Sequence, residues 1–337
     1  MRLDEFDYPL APDRIAQSPV EPRDSARLLV DRGNRTPAHH IVRDLPGFLR
    51  EGDLLVVNDS RVIPARLQLR RTSGGAVEVL LLESLDENDR RWSALVKPGG
   101  KLRPGEPLHH ERLGHIVDFI DRHTDGDTFV IELRHDGNPV DLLGEVGEMP
   151  LPPYITTRLE DLDRYQTVYS RRPASAAAPT AGLHLTADLL GTIERMGVGI
   201  ARVELVVGLD TFQPVQSDDP LEHRMHTEFY DVPLETLERI ADARRVVAVG
   251  TTSVRALESA VGRSERTGRT DLFIHRGYEW KVVDLMLTNF HLPRTTLLMM
   301  IDAFVGPRWR DIYREAIESG YRFLSFGDAM LLDRHLG

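Results

Sequence analysis

Between residues 66 and 138 the chain is a succession of short β-rich runs separated by glycine and aspartate turns. No other stretch constrains the fold as strongly. The run at 67–71 leads into Gly74-Gly75, that at 76–82 into the charged segment 86–91, and that at 92–96 into Pro98-Gly99-Gly100. The runs at 116–120 and 128–133 end at Asp125-Gly126 and Asp136-Gly137. Strands at this spacing, with no helical period between them, predict an antiparallel barrel or sandwich.

The flanks read differently. The run Leu54-Leu55-Val56-Val57 is a strand that ends in polar Asn58-Asp59-Ser60-Arg61. After the stiff link Met149-Pro150-Leu151-Pro152-Pro153, Thr186 caps a predicted helix over 187–196, with Leu189, Leu190, Ile193 and Met196 on one face and Gly197 at its end. Strands are predicted at 200–207, 245–249 and 321–325, and helices at 234–244, 253–261, 295–304 and 308–319. Alternation of this kind builds helix-covered sheets. The fold class expected is therefore a mixed α+β chain. Residues 1–62 and 150–337 form an α/β main domain that carries the active site, and 63–149 form an inserted antiparallel β-barrel domain.

Composition narrows the chemistry. None of the 337 residues is Cys, which excludes disulfides, thiolate zinc sites, iron–sulfur clusters and a cysteine nucleophile. The formal net charge of −11 argues against a nonspecific polyanion binder, unless a positive surface is local. The first residues carry acids and no apolar run of a secretory signal, and no stretch approaches the ~20 apolar residues of a membrane span. The expectation is a cytoplasmic protein, monomeric or weakly oligomeric, with no metal and no membrane association.

Several segments suit ligand chemistry. Ala176-Ala177-Ala178-Pro179-Thr180-Ala181-Gly182-Leu183-His184 lets backbone approach a ligand closely and ends in a histidine that can exchange protons near neutral pH. A tightly packed loop with a structural histidine is the other reading. Gly250-Thr251-Thr252-Ser253-Val254-Arg255 joins a buried strand to a helix, where free amides and hydroxyls suit a carboxylate or phosphate. Plain capping is the alternative. Arg255 can fork onto a carboxylate ligand or pair with Glu258 one turn on. Asn289 and His291 form a donor–acceptor pair suited to a base or ribose, and Asp328 ends a strand as a ribose ligand or a solvated turn. His223, His226 and Glu228 lack a metal-binding spacing, so a hydrogen-bonding role is preferred. Arg61, Arg66, Arg70 and Arg71 stand in an acid-free stretch that can line a phosphate-binding surface, and Tyr165 beside Arg164 suits stacking on an unpaired base.

Taken together, these segments resemble the S-adenosylmethionine:tRNA ribosyltransferase-isomerase family of queuosine biosynthesis. The resemblance rests on Phe6-Asp7-Tyr8-Pro9-Leu10, Asn58-Asp59-Ser60-Arg61-Val62-Ile63-Pro64-Ala65-Arg66, Arg164-Tyr165-Gln166-Thr167-Val168-Tyr169 and Ala178-Pro179-Thr180-Ala181-Gly182-Leu183-His184. It continues through Met225-His226 with Glu228 and Tyr230, Gly250-Thr251-Thr252-Ser253-Val254-Arg255-Ala256-Leu257-Glu258, Leu287-Thr288-Asn289-Phe290-His291-Leu292-Pro293 and Gly327-Asp328-Ala329-Met330. It implies a larger α/β domain with an inserted β-barrel. The implied reaction moves the ribosyl carbons of S-adenosylmethionine, a consumed substrate, to the aminomethyl group of 7-aminomethyl-7-deazaguanine at the tRNA wobble position. Epoxyqueuosine in tRNA, adenine and methionine are the implied products.

That chemistry needs a base near the acidified C5′, a proton or hydrogen bond for departing adenine, and a cradle for the methionine carboxylate. The resemblance singles out His184, Arg255 and Asp59 as catalytic candidates. It marks Asn58, Arg61, Thr180, Ala181, Gly182, His226, Glu228, Thr251, Thr252, Ser253, Asn289, His291 and Asp328 as substrate-binding candidates. Arg66, Arg70, Arg71, Arg164 and Tyr165 are the tRNA-binding candidates. The chain departs from the family pattern where a His is replaced by Val206, a Gly by Asp210 and a Phe by Leu185. Two other readings stay open: a paralogue that serves a small-molecule acceptor, and a non-catalytic tRNA- or nucleoside-binding relative.

Overall fold

The computed structural model describes residues 1–33, 36–123, 128–207, 219–222, 225 and 227–334. In chain order the strands are β1 (Arg27–Asp31), β2 (Ala38–Ile41), β3 (Asp53–Asn58), β4 (Ser60–Val62), β5 (Arg66–Arg71), β6 (Ala76–Ser84), β7 (Arg91–Lys97), β8 (Glu106–His110), β9 (Gly114–Arg122) and β10 (Phe129–Leu133). They continue with β11 (Arg172–Ser175), β12 (Gly199–Leu205), β13 (Glu228–Asp231), β14 (Arg245–Val249), β15 (Thr267–Thr270), β16 (Leu285–Asn289) and β17 (Ala329–Asp333). The helices are α1 (Pro139–Val146), α2 (Ala187–Arg195), α3 (Leu234–Asp242), α4 (Gly250–Arg263), α5 (Thr296–Val305) and α6 (Trp309–Glu318).

Nine strands form one sheet in the order β15-β13-β12-β3-β14-β16-β17-β1-β2. Its centre is parallel: β12, β3, β14 and β16 run the same way. Every residue of β3 is buried, as expected for a strand covered on both faces. Strand periodicity sends alternate side chains to opposite sides. Leu54, Val56, Val246 and Ala248 pack with Val254 and Leu257 of α4 and with α5 and α6. Leu55, Val57, Val247 and Val249 face Leu189 and Ile193 of α2. The result is a three-layer arrangement whose sheet edge at Asp53 is closed by a carboxylate that accepts from Arg245 at 2.9 and 2.5 Å.

Strands β5–β10 close into an antiparallel barrel, with Leu67, Val79, Trp92, Val117 and Ile131 in its core. The chain enters and leaves this barrel side by side, through the backbone pair Arg66–Glu148 at 3.2 and 2.8 Å. A cross-contact from the main sheet, Arg269 to Glu83 at 2.6 Å, ties β15 to β6. Among the described residues no helix is long and apolar enough to cross a membrane.

Three local expectations are corrected. The segment 321–325 is not a strand: Leu324 has φ 69°, and the Arg322 amide donates to the Asp328 carboxylate at 2.8 Å rather than to a neighbouring strand. The last strand is β17. Helix α4 starts at Gly250, three residues before the predicted 253, because Gly250 adopts φ 85° and lets the helix follow β14 directly. Helix α1, capped by Asn138 at 2.9 Å, lies beyond the strand-rich run and was not anticipated.

Candidate functional site

The carboxyl ends of β12, β3, β14 and β16 meet at one edge of the sheet, joined there by the amino ends of the oppositely directed β17 and β1. Ligands of open α/β sheets bind at such an edge. A cleft of about 600 Å³, including its open mouth, lies there. Three of the segments singled out from sequence line it, through Ala178 to Ala181, Gly250 to Thr252 and Thr288 to Leu292. Val207, Tyr154, Thr295, Leu297, Leu324 and Ser325 complete the lining. No Asp, Glu, Lys or Arg is among the described lining residues.

Thr180, Asn289 and His184 form a chain of hydrogen bonds at the cleft wall. The Thr180 hydroxyl donates to Asn289 Oδ1 at 3.0 Å, which orients the carboxamide. Asn289 Nδ2 then donates to His184 Nε2 at 3.0 Å and to the Asp328 carbonyl at 3.4 Å. An Nε2 that accepts leaves the proton of the neutral imidazole on Nδ1. Burial, with Arg322 and Arg23 nearby, lowers the His184 pKa to about 4, so the ring is neutral at pH 7. His184 therefore sits behind Asn289 rather than in the main cleft. It faces a smaller cavity with Arg23, Arg164 and Phe326.

His291 does line the main cleft. Its Nε2 lies 3.2 Å from the Thr288 hydroxyl, and burial lowers its pKa to about 3. Two tyrosines hold its backbone: the Tyr313 hydroxyl accepts from the His291 amide at 3.0 Å, and the Tyr8 hydroxyl donates to its carbonyl. Tyr154 approaches from the proline-rich link, its hydroxyl 2.7 Å from that of Ser325. Sequence reasoning had not placed Thr295 or Ser325 in the site. They are isolated residues with no local pattern, and only the packing of distant segments brings them together.

Other candidates lie elsewhere. Arg255 is buried, does not line the cleft, and pairs with Glu228 on β13 rather than with Glu258. Its guanidinium also donates to the carbonyls of Leu272 at 3.2 Å and Thr270 at 3.4 Å. Glu258 instead accepts from the Tyr278 hydroxyl and from the amides of Lys281, Val282 and Val283 at 2.8–3.1 Å. Asn58 is fully buried, and its carboxamide joins β3 to the Leu205 backbone. Asp328 gives its carboxylate oxygens to the amides of Arg27 at 3.0 Å and Arg322 at 2.8 Å. Ser253 donates to the Val249 carbonyl, and Gly182 packs against Tyr169 so closely that a Cβ would overlap the phenol. Asp59 is half-buried, and desolvation raises its pKa despite Arg202 and Arg171. His226, His223 and Asp210 lie outside the described residues. Among the described residues no three His, Asp or Glu side chains group as metal ligands.

The arginines proposed for nucleic acid are largely engaged with acids. Arg71 forks onto Glu106 at 2.6 and 3.0 Å, Arg66 lies 4.0 Å from Glu78, and Arg164 lies 2.8 Å from Glu21. Arg70 is exposed and reaches the Gly74 carbonyl at 3.3 Å. Tyr165 is fully buried edge-to-face against Phe326, so its ring is not presented to solvent. Arg61 and Arg171 are exposed at the edge that holds Asp59.

The sequence model of the queuosine biosynthesis protein family matches residues 3–332. The chain belongs to that family. A relative from Symbiobacterium thermophilum, named S-adenosylmethionine:tRNA ribosyltransferase-isomerase, is 50% identical over 98% of this chain and 100% of its own length. Relatives of the same name from Rubrobacter xylanophilus and Thermotoga maritima are 49% and 46% identical over 98% of this chain, covering 98% and 100% of their own lengths. The crystal structure of S-adenosylmethionine tRNA ribosyltransferase from Thermotoga maritima superposes with a TM-score of 0.55 at 39% identity, covering 97% of this chain and 99% of that one. These relatives are enzymes, transferase and isomerase by name.

Proposed function

We propose that this chain is a ribosyltransferase-isomerase that consumes S-adenosylmethionine. It transfers and isomerises the ribosyl carbons onto the aminomethyl group of 7-aminomethyl-7-deazaguanine at the wobble position of tRNA, and releases adenine and methionine. The observation that carries this reading is the cleft itself. It lies at the carboxyl ends of the parallel central strands, is built from the 178–181, 250–252 and 288–292 segments, and has the mostly apolar lining with a few polar groups of a small-molecule site. The names of relatives near 50% identity over almost the whole chain support the same reaction.

Within that reading the residues divide by position. Asn289, oriented by Thr180, offers a fixed carboxamide to a base or ribose. His184 acts through Asn289 as a positioning residue, and its Nδ1–H is directed away from that bond. His291 is the imidazole that meets the ligand, and its neutrality at working pH suits it to accept a proton or a hydrogen bond. Arg255 orders the first turns of α4 through β13 and β15 and does not touch substrate. Arg61, Arg171 and Arg70 are the cations offered to tRNA phosphates.

A small-molecule acceptor is the second reading, favoured by the acids that engage Arg66, Arg71 and Arg164. Incubation with S-adenosylmethionine and tRNA bearing the aminomethyl deazaguanine separates the two. Adenine and methionine release that requires the tRNA is the expected result. Release without tRNA, given a small amine, favours the second reading. Tight tRNA binding with no release under either condition overturns both.

A further inference from the structure

The first turn of α4 has no side-chain cap among the described residues. Helix α4 runs for 14 residues, so the partial positive charge of its first turn is developed. Its capping position is Val249, whose side chain cannot accept a hydrogen bond, so the first amides depend on other acceptors. Ser253 does not fill the role, because its hydroxyl turns to the Val249 carbonyl at 2.7 Å. A second, independent feature points the same way. Thr252 is 8% exposed and lines the cleft, and its hydroxyl has no partner among the described residues. A buried hydroxyl without a partner calls for an explanation, and on a residue that lines a cleft a ligand atom can supply the missing bond.

The lining also selects the kind of anion. The described lining residues include no Lys or Arg, and what they offer is amides and hydroxyls rather than a full positive charge. Such a seat matches the single charge of a carboxylate, which amides and hydroxyls can satisfy. S-adenosylmethionine carries one anionic group, the α-carboxylate of its methionyl arm. Resting on the function proposed above, we infer that the first turn of α4, with the Thr252 hydroxyl, binds that carboxylate and so sets the direction in which the substrate enters the cleft. The methylene arm then lies along apolar lining, to which Val207 and Leu297 belong. Product methionine keeps the same seat after adenine departs.

Calorimetric titration of the full chain with S-adenosylmethionine and with its decarboxylated analogue tests this. Wild-type protein is expected to bind the analogue at least tenfold more weakly. Thr252→Val is expected to weaken S-adenosylmethionine at least fivefold while leaving the analogue unchanged, and Thr252→Ser to restore most of the difference. L-methionine, but not L-methioninol, is expected to compete. Equal wild-type affinity for S-adenosylmethionine and its analogue overturns the inference without touching the proposed function, and needs no variant to fold. Equal weakening of both by Thr252→Val also overturns it. Failure of S-adenosylmethionine to bind with or without tRNA overturns the proposed function and this assignment together.

Discussion

Replacing Arg255 by Met tests whether this arginine is structural or catalytic. Its side chain is 5% exposed and that of Glu228 is 7% exposed, so both charges sit away from solvent. Burial lowers the Arg255 pKa to about 10, which still leaves it protonated at neutral pH. Met fills most of the arginine's length but removes the guanidinium from the Glu228 carboxylate and from the carbonyls of Leu272 and Thr270. Breaking a buried pair from one side destabilises by about 3–5 kcal/mol. With a urea dependence of about 3 kcal/mol per molar for a chain of this size, the unfolding midpoint falls by about 1–1.7 M. A Trp92→Phe background removes the barrel's tryptophan, so fluorescence then reports Trp280, which packs on Phe304 at 4.8 Å, and Trp309. Arg255→Met combined with Glu228→Leu is expected to recover a large part of the loss, because it removes both charges of the buried pair. The Michaelis constant for S-adenosylmethionine in the folded single variant should stay within about threefold of wild type. An Arg255→Met protein with a wild-type midpoint but turnover reduced a hundredfold would refute the reasoning, since such an arginine must reach the substrate.

Three further outcomes follow from the same contacts. His184 and His291 are neutral when folded, with pKa values of about 4 and about 3 against an ordinary 6.5. Between pH 6.5 and 4 the unfolded chain binds protons that the folded chain refuses, so stability is complete above pH 6.5 and declines as pH falls, by about 1.4 kcal/mol per unit for each ring. His184→Gln should remove one proton from that slope in urea titrations, and an unchanged slope would contradict it. Gly182→Ala drives a methyl into the Tyr169 hydroxyl and should destabilise by about 1–3 kcal/mol, with partial recovery in a Tyr169→Phe background; thermal melting with no difference between the two backgrounds would count against the contact. Binding of tRNA should weaken only shallowly with salt, and Arg61→Ala and Arg171→Ala should each lower the logarithmic slope by about 1; a slope insensitive to both would place the tRNA surface elsewhere.

Much of the architecture was legible along the chain because it is written in short-range periods. Alternation at 67–71 and 92–96, broken by glycine turns, is sufficient for barrel strands. The Thr186 cap and Gly197 end bound α2 as anticipated, with the Thr186 hydroxyl accepting from the Leu189 amide at 3.1 Å and Gly197 at φ 79°. The segments that meet in the cleft were visible too, since small residues, hydroxyls and Asn-x-His stand out beside apolar strands. Partner choice was not visible. Arg255 is three residues from Glu258 in sequence, yet its carboxylate comes from Glu228 on a strand two positions away in the sheet from β3. Local spacing lists the acids within reach but not those that a sheet brings near.

The same division holds for the chemistry. Residue identity alone determined that this protein has no thiol to use, that an inserted β unit interrupts an α/β frame, and that 178–184, 250–255 and 288–293 carry its polar groups. Tertiary structure decided which of those groups face the cleft. Asn289 stands between His184 and the cavity, Asp328 and Asn58 are turned onto backbone amides, and the Thr252 hydroxyl, on a residue that lines the cleft, is left without a partner among the described residues. The physical reason is that a buried polar atom takes the nearest available partner. Which partner is nearest depends on how strands far apart in sequence are ordered in the sheet.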